Sequence, residues 1–142
     1  MTVDQILSTK GRTVVTIQPH RTLTDAVALL AEKRIGAVVV TGADGKVVGI
    51  LSERDIVRAL ALGQHVMGDP VSRYMTAKVV TCMRDMLVVD VMEEMTKGRF
   101  RHIPVVEEGR LIGLISIGDV VKHRLAEFQH EADALREYIT AG

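Results

Sequence analysis

Two short, almost wholly apolar runs, residues 103–106 and 111–115, flank the polar tetrapeptide Glu107-Glu108-Gly109-Arg110. The pattern predicts two buried strands joined by a tight turn. The second run meets Ser116-Ile117-Gly118-Asp119, which opens a helix. An earlier stretch reads the same way: residues 37–41 and 47–51 read as strands, and Gly42-Ala43-Asp44-Gly45 between them carries an Asp-Gly hairpin signal. Ser52 then starts a helix to about Leu62. Ahead of that hairpin, Thr22-Leu23-Thr24-Asp25 is a capping box for a helix to about Arg34, with Leu23, Ala26, Val27, Leu30 and Ala31 on one face. Its later counterpart, residues 85–97, buries Leu87, Val88, Val91, Met92 and Met95. Short strands at 14–17 and 79–82 and lead-in helices at 2–7 and 71–75 complete the pattern. Residues 63–70, punctuated by Gly63, Gly68 and Pro70, form the linker.

The two halves are copies. At an offset of 65, Val14, Val15, Thr16, Asp25, Arg34 and Val40 fall on Val79, Val80, Thr81, Asp90, Arg99 and Val105. One deletion in the hairpin turn changes the offset to 64, and Gly45, Gly49, Ser52, Asp55 and Val57 fall on Gly109, Gly113, Ser116, Asp119 and Val121. One register sustained over that span with a single gap at a turn marks a tandem duplication. The expected fold is α/β in the α+β sense: two β-α-β-β-α repeats related by a pseudo-two-fold axis, at 1–66 and 67–125, with a helical extension at 126–142. Neither repeat should be stable alone; packed face to face, the two should share one core.

The last helix overruns its counterpart. Val121, Leu125, Phe128, Ala132, Leu135 and Ile139 recur at alternating spacings of 4 and 3, a heptad stripe. Lys122, Arg124, Glu127, Glu131, Arg136 and Glu137 occupy the opposite face. A second copy of the chain is the expected cover for the stripe, giving a homodimer; folding back or fraying are the alternatives.

Composition narrows the function. Lys+Arg and Asp+Glu are both 18, which argues against a general nucleic-acid binder, since that needs a basic excess. Aromatics are 3% against 47% hydrophobic, so the core must be aliphatic. Cys82 stands alone, takes the place of Ile17, and reads as a small buried hydrophobe. No run approaches the ~20 apolar residues of a membrane span. Residues 1–7 carry Asp4 and lack the apolar centre of a signal peptide, so a cytoplasmic protein is expected.

Gly49-Ile50-Leu51-Ser52-Glu53-Arg54-Asp55 and Gly113-Leu114-Ile115-Ser116-Ile117-Gly118-Asp119, each after an apolar strand, resemble the signature of a CBS domain pair, or Bateman module. The resemblance covers residues 3–125 and is strongest to stand-alone bacterial pairs. It implies adenine-nucleotide binding (AMP foremost, with ADP, ATP, NAD(H) or S-adenosyl compounds) in two clefts between the repeats, and association of two pairs as a flat disc. It also implies ligand contacts at Thr16, Ile17, Gly36, Ala37, Val38, Ser52, Arg54 and Asp55 in the first repeat. In the second they are Lys78, Val80, Thr81, Arg99, Arg101, His102, Ile103, Pro104, Ser116 and Asp119.

The residues themselves make that chemistry sensible. Ser-x-x-Asp at a helix start is an ordinary capping box. An Asp carboxylate also accepts two hydrogen bonds, matching a ribose diol, while the helix N-terminus favours a phosphate. Serine capping with the aspartate turned outward would reconcile the roles. Arg101 and His102 stand where the first repeat has Gly36 and Ala37, and Arg54 stands where the second has Gly118. Each half thus has its own cation, and the second cleft should depend more on a phosphate, with a pH effect if His102 titrates near 6.5. Arg34 and Arg99 read equally as surface residues. Pro104, lacking an N–H, must lie at a sheet edge or irregularity, beside Ile103 in what the family uses as an adenine wall.

Enzyme signatures are absent: Gly45-Lys46-Val47 is no phosphate-binding loop, no GxGxxG or HExxH occurs, and His20, His65, His123 and His130 read as surface residues. The expectation is a regulatory module sensing energy or redox state through an adenine nucleotide and read by a partner protein. A scaffold with vestigial clefts is the alternative.

Overall fold

The computed structural model describes residues 1–141. The elements in chain order are α1 (Val3–Lys10), β1 (Thr16–Ile17), α2 (Leu23–Lys33), β2 (Ala37–Thr41), β3 (Val47–Ser52), α3 (Glu53–Leu60), a 3-10 turn (Gln64–Gly68), α4 (Val71–Tyr74), α5 (Val88–Gly98), β4 (His102–Glu107), β5 (Arg110–Ser116) and α6 (Ile117–Ala141). Both hairpins form where the apolar runs place them. Glu108 and Gly109 both have positive φ, 51° and 79°, as a tight two-residue hairpin turn requires.

The first sheet has order β1-β2-β3, with β1 parallel to β2; the second has only β4 and β5. The expected strand at 79–82 is reduced to one bridge, Cys82 to Val105. Pro104 supplies the reason. In the first repeat Thr16 pairs with Val39 and Ile17 with Val40, a parallel register that uses the Val39 N–H. Pro104 holds the Val39 position and has no N–H to give. Cys82 can still donate to the Pro104 carbonyl at 3.0 Å, but Val80 has nothing to bond and leaves the sheet.

The two repeats do not share one core; they exchange lead-in helices. Val3, Ile6 and Leu7 of α1 pack with Cys82, Val88, Val91, Met95, Ile103, Val105, Ile115 and Val120 of the second repeat. Val71 of α4, with Tyr74 and Met75 beside it, packs into the first-repeat core of Ile17, Leu23, Leu30, Val38, Val40 and Leu51. The exchange is symmetrical in its backbone bonds. The Val88 N–H donates to the Met1 carbonyl at 3.0 Å, and the Leu23 N–H to the Asp69 carbonyl at 3.0 Å. It also accounts for the glycines inside β3 and β5. A Cβ on Gly49 would lie 2.5 Å from Met75 Sδ, and one on Gly113 2.5 Å from Leu7 Cδ2.

Helix α2 starts at its capping box, with Thr22 Oγ1 accepting from the Asp25 N–H at 3.1 Å. Leu87 replaces that threonine in the second repeat and offers no side-chain cap, yet α5 begins at Val88, the counterpart of Leu23 and three residues later than the pattern predicts. The hairpins lie side by side: a Cβ on Gly36 would come within 3.8 Å of the His102 ring, and one on Gly109 within 3.9 Å of Lys46. Cys82 is buried as expected, and burial pushes its thiol up to about 11. No helix among the described residues is long and apolar enough to cross a membrane.

Candidate functional site

Each repeat turns from its second hairpin strand into a helix at a serine that does two jobs. Ser52 ends β3 and caps α3; Ser116 ends β5 and caps α6. Across each hairpin the capping serine pairs with the first residue of the preceding strand, Ala37 with Ser52 and His102 with Ser116. The Glu53 N–H donates to the Gly36 carbonyl at 3.0 Å, and the Ile117 N–H to the Arg101 carbonyl at 2.8 Å. Strand start and helix start are thereby held together twice, around one pseudo-two-fold axis.

The aspartates do not simply turn outward while serine caps. Asp55 Oδ2 accepts from the Ser52 N–H at 3.0 Å and Ser52 Oγ at 3.1 Å; Asp119 Oδ2 accepts from the Ser116 N–H at 2.9 Å and Ser116 Oγ at 3.0 Å. One oxygen is committed to the cap and Oδ1 is left for other work. Asp55 Oδ1 takes a long bond from Thr76 Oγ1, 3.4 Å. Asp119 Oδ1 accepts no hydrogen bond among the described residues.

Asp119 carries a further partner that the sequence reading missed. Lys10, at the end of α1, donates from Nζ to Asp119 Oδ2 at 2.6 Å and to the Leu114 carbonyl at 2.6 Å. Burial pushes the Asp119 carboxyl up, but the Lys10 ammonium and the Ser116 donors outweigh it and hold it below the usual carboxylate range. A signal for Lys10 exists: with Gly11-Arg12-Thr13 treated as an insertion, Val3 and Lys10 fall on Val71 and Lys78. Lys78 itself is exposed and makes no side-chain hydrogen bond among the described residues.

His102 is half-buried between the repeats, and Glu53 stands with it against Gly36. Burial lowers its pKa, and the Lys10 and Arg101 charges add to that; Asp119 and Glu53 oppose it and lose. The ring is therefore neutral at pH 7, and the expected titration near 6.5 moves lower. Arg101 is exposed beside it.

The other expected contacts divide. Pro104 is buried on the His102 side of β4, while Ile103 is on the opposite side, fully buried in the second core. Ile17 and Val38 likewise give their side chains to the first core. Ala37 is buried on the face opposite Val38. Val80 and Thr81 are exposed, freed from the sheet by Pro104, and Arg54 is exposed in the first turn of α3. Arg34 and Arg99 hold matching left-handed caps, φ 55° and 56°, at the ends of α2 and α5, with both side chains exposed. Thr16 lines a groove of about 590 Å³ with Arg21, Asp25 and Leu29, one that includes no Ser-x-x-Asp residue. That groove lacks the paired chemistry of the helix starts. Of the histidines read as surface residues, His123 is half-covered, with Nδ1 3.0 Å from Met1 Sδ.

Comparison with known proteins identifies the family. The CBS domain family matches residues 3–62 and 71–126. The CBS-domain containing protein ATU1752 from Agrobacterium tumefaciens is 51% identical with TM-score 0.84, covering 87% of this chain and 92% of that one. The CBS domain protein PAE2072 from Pyrobaculum aerophilum, complexed with AMP, is 30% identical with TM-score 0.76, covering 84% and 89%. The CBS domain pair of protein MJ0100, in complex with 5′-methylthioadenosine and S-adenosyl-L-methionine, is 26% identical with TM-score 0.80, covering 89% and 98%. With two family matches in tandem and two helix-start motifs in register, the chain belongs to the CBS domain family and is a tandem CBS pair.

Proposed function

We propose that this CBS pair is a regulatory module that binds an adenine nucleotide, AMP foremost, in the clefts at its two Ser-x-x-Asp helix starts. The observation that carries the reading is Asp119: one carboxylate oxygen holds the helix cap while the other accepts nothing among the described residues, beside a helix N-terminus and the cations Lys10, Arg101 and His102 once protonated. A ribose hydroxyl fits the free oxygen, and a phosphate fits the cations. Neighbouring pairs that hold AMP, or 5′-methylthioadenosine and S-adenosyl-L-methionine, support the ligand class. ADP, ATP and NAD(H) share the adenosine and phosphate. Because Gly36 and Glu53 of one repeat meet His102 of the other, a ligand there touches both repeats and favours one relative arrangement, which a partner protein can read. No step of this reading is catalytic.

One observation favours the scaffold alternative, the uncovered apolar stripe of α6. Thermal-shift titration with AMP, ATP, NADH, S-adenosylmethionine and adenosine separates the two. A ligand at 100 times its Kd should stabilise the fold by ~2.7 kcal/mol. No shift with any of them would leave the scaffold.

A further inference from the structure

Lys10 belongs to the first repeat in sequence but sits in the second cleft. Three features hold it there. The Val3 and Asp4 N–H groups donate to the Met86 and Arg84 carbonyls at 2.9 and 2.8 Å, anchoring α1 on the second repeat. Leu7 lies over Gly113, so closely that a Cβ there would meet it at 2.5 Å. Arg12 then ties the chain after Lys10 back to Asp4 at 2.7 Å. The ammonium is delivered to Asp119 and the Leu114 carbonyl by a fixed helix end.

Because Lys10 occupies Oδ2 of a carboxylate whose two oxygens match a ribose diol, we propose that it is a latch that makes the second cleft select phosphorylated adenosine ligands over neutral ones. The proposal rests on the nucleotide-binding reading and names the ligand class within it. One ribose hydroxyl can reach Oδ1 with Lys10 in place, but a diol that engages both oxygens must displace Lys10 from Oδ2, and a neutral nucleoside offers the displaced ammonium no anion. A nucleotide brings one. Its phosphate, at the α6 N-terminus and near Arg101, takes over the ammonium as the hydroxyls take over the carboxylate. Loss and gain then balance only for the phosphorylated ligand. Among the described residues the first cleft has no such latch: Asp55 meets Thr76 at 3.4 Å instead of a lysine.

The test is calorimetric titration of AMP and adenosine into the full chain carrying Asp55→Ala, which leaves the second cleft the only one with its carboxylate. Lys10→Met should weaken AMP and tighten adenosine, lowering the AMP-to-adenosine affinity ratio at least ~10-fold. Lys10→Arg, which keeps the charge, should retain the starting ratio. That reciprocal change is a readout that a strut holding α1 in place would not move. If Lys10→Met shifts both ligands in the same direction and degree, or if the methionine and arginine variants behave alike, the latch is refuted while nucleotide binding stands. If neither ligand binds with Lys10 present, the latch falls together with nucleotide binding in the second cleft.

Discussion

At the residue scale, the economy of the site lies in Asp119 and Asp55. A carboxylate has enough lone pairs to cap a helix through one oxygen and receive a ligand through the other. The sequence motif alone cannot distinguish these roles, because both require the same two residue types three apart. The structure distinguishes the two oxygens: Oδ2 is committed at 2.9–3.0 Å in Asp119, and Oδ1 accepts no hydrogen bond among the described residues. Asp119→Ala should therefore weaken AMP in the second cleft by ~1.5–3 kcal/mol, the range for hydrogen bonds to a charged group. The fold should lose only ~1 kcal/mol of cap and ~0–1 kcal/mol of a partly exposed ion pair. Chemical denaturation beside calorimetry checks both numbers. Unchanged affinity with lowered stability would reduce the aspartate to a cap.

At the element scale, α6 is the outlier. Of its 25 residues, Val120 is the one buried. Val121, Leu125, Phe128, Leu135 and Ile139 are all exposed, between 48% and 67%, so the helix does not fold back onto its own domain. Its polar side is not wholly solvated either: Arg124 pairs with Glu127 at 2.7 Å, stacks 5.0 Å from the Phe128 ring, and lines a small groove with Met1, Leu87 and Val89. An uncovered heptad stripe on so long a helix is marginal in water. We propose that a second copy of the chain covers it, with the same patch used twice. The full-length protein should sediment as a dimer at micromolar concentration, and truncation after Leu125 should weaken that dimer while leaving nucleotide binding intact. A full-length monomer would dispose of the idea.

At the scale of the whole molecule, the exchange of lead-in helices makes the repeats interdependent. Removing residues 1–66 takes away Val3, Ile6 and Leu7, which fill the second core and cover Gly113. Residues 67–142 alone should therefore fail to unfold cooperatively on heating. Adding residues 1–13 as a peptide should restore a sigmoidal melt by circular dichroism. A cooperative melt without the peptide would show that the second core closes unaided. The exchange also places Lys10 of one repeat on Asp119 of the other, 109 residues away in sequence.

The sequence by itself determined what depends on short range. Hydrophobic period set both hairpins and the helices behind them, Ser-x-x-Asp set the helix starts at 52 and 116, and duplication set the pseudo-symmetry. Pro104 even announced an interrupted sheet, since a missing N–H is a local fact. Tertiary structure decided which repeat each lead-in helix would join, because an apolar face such as Val3-Ile6-Leu7 fits either core by pattern and only packing over Gly113 chooses. It also decided which oxygen of Asp119 stays free and that burial, with Lys10 and Arg101 beside it, would keep His102 neutral. Those outcomes turn on charges and atoms brought together from distant parts of the chain, and on desolvation, which has no value until the fold is closed.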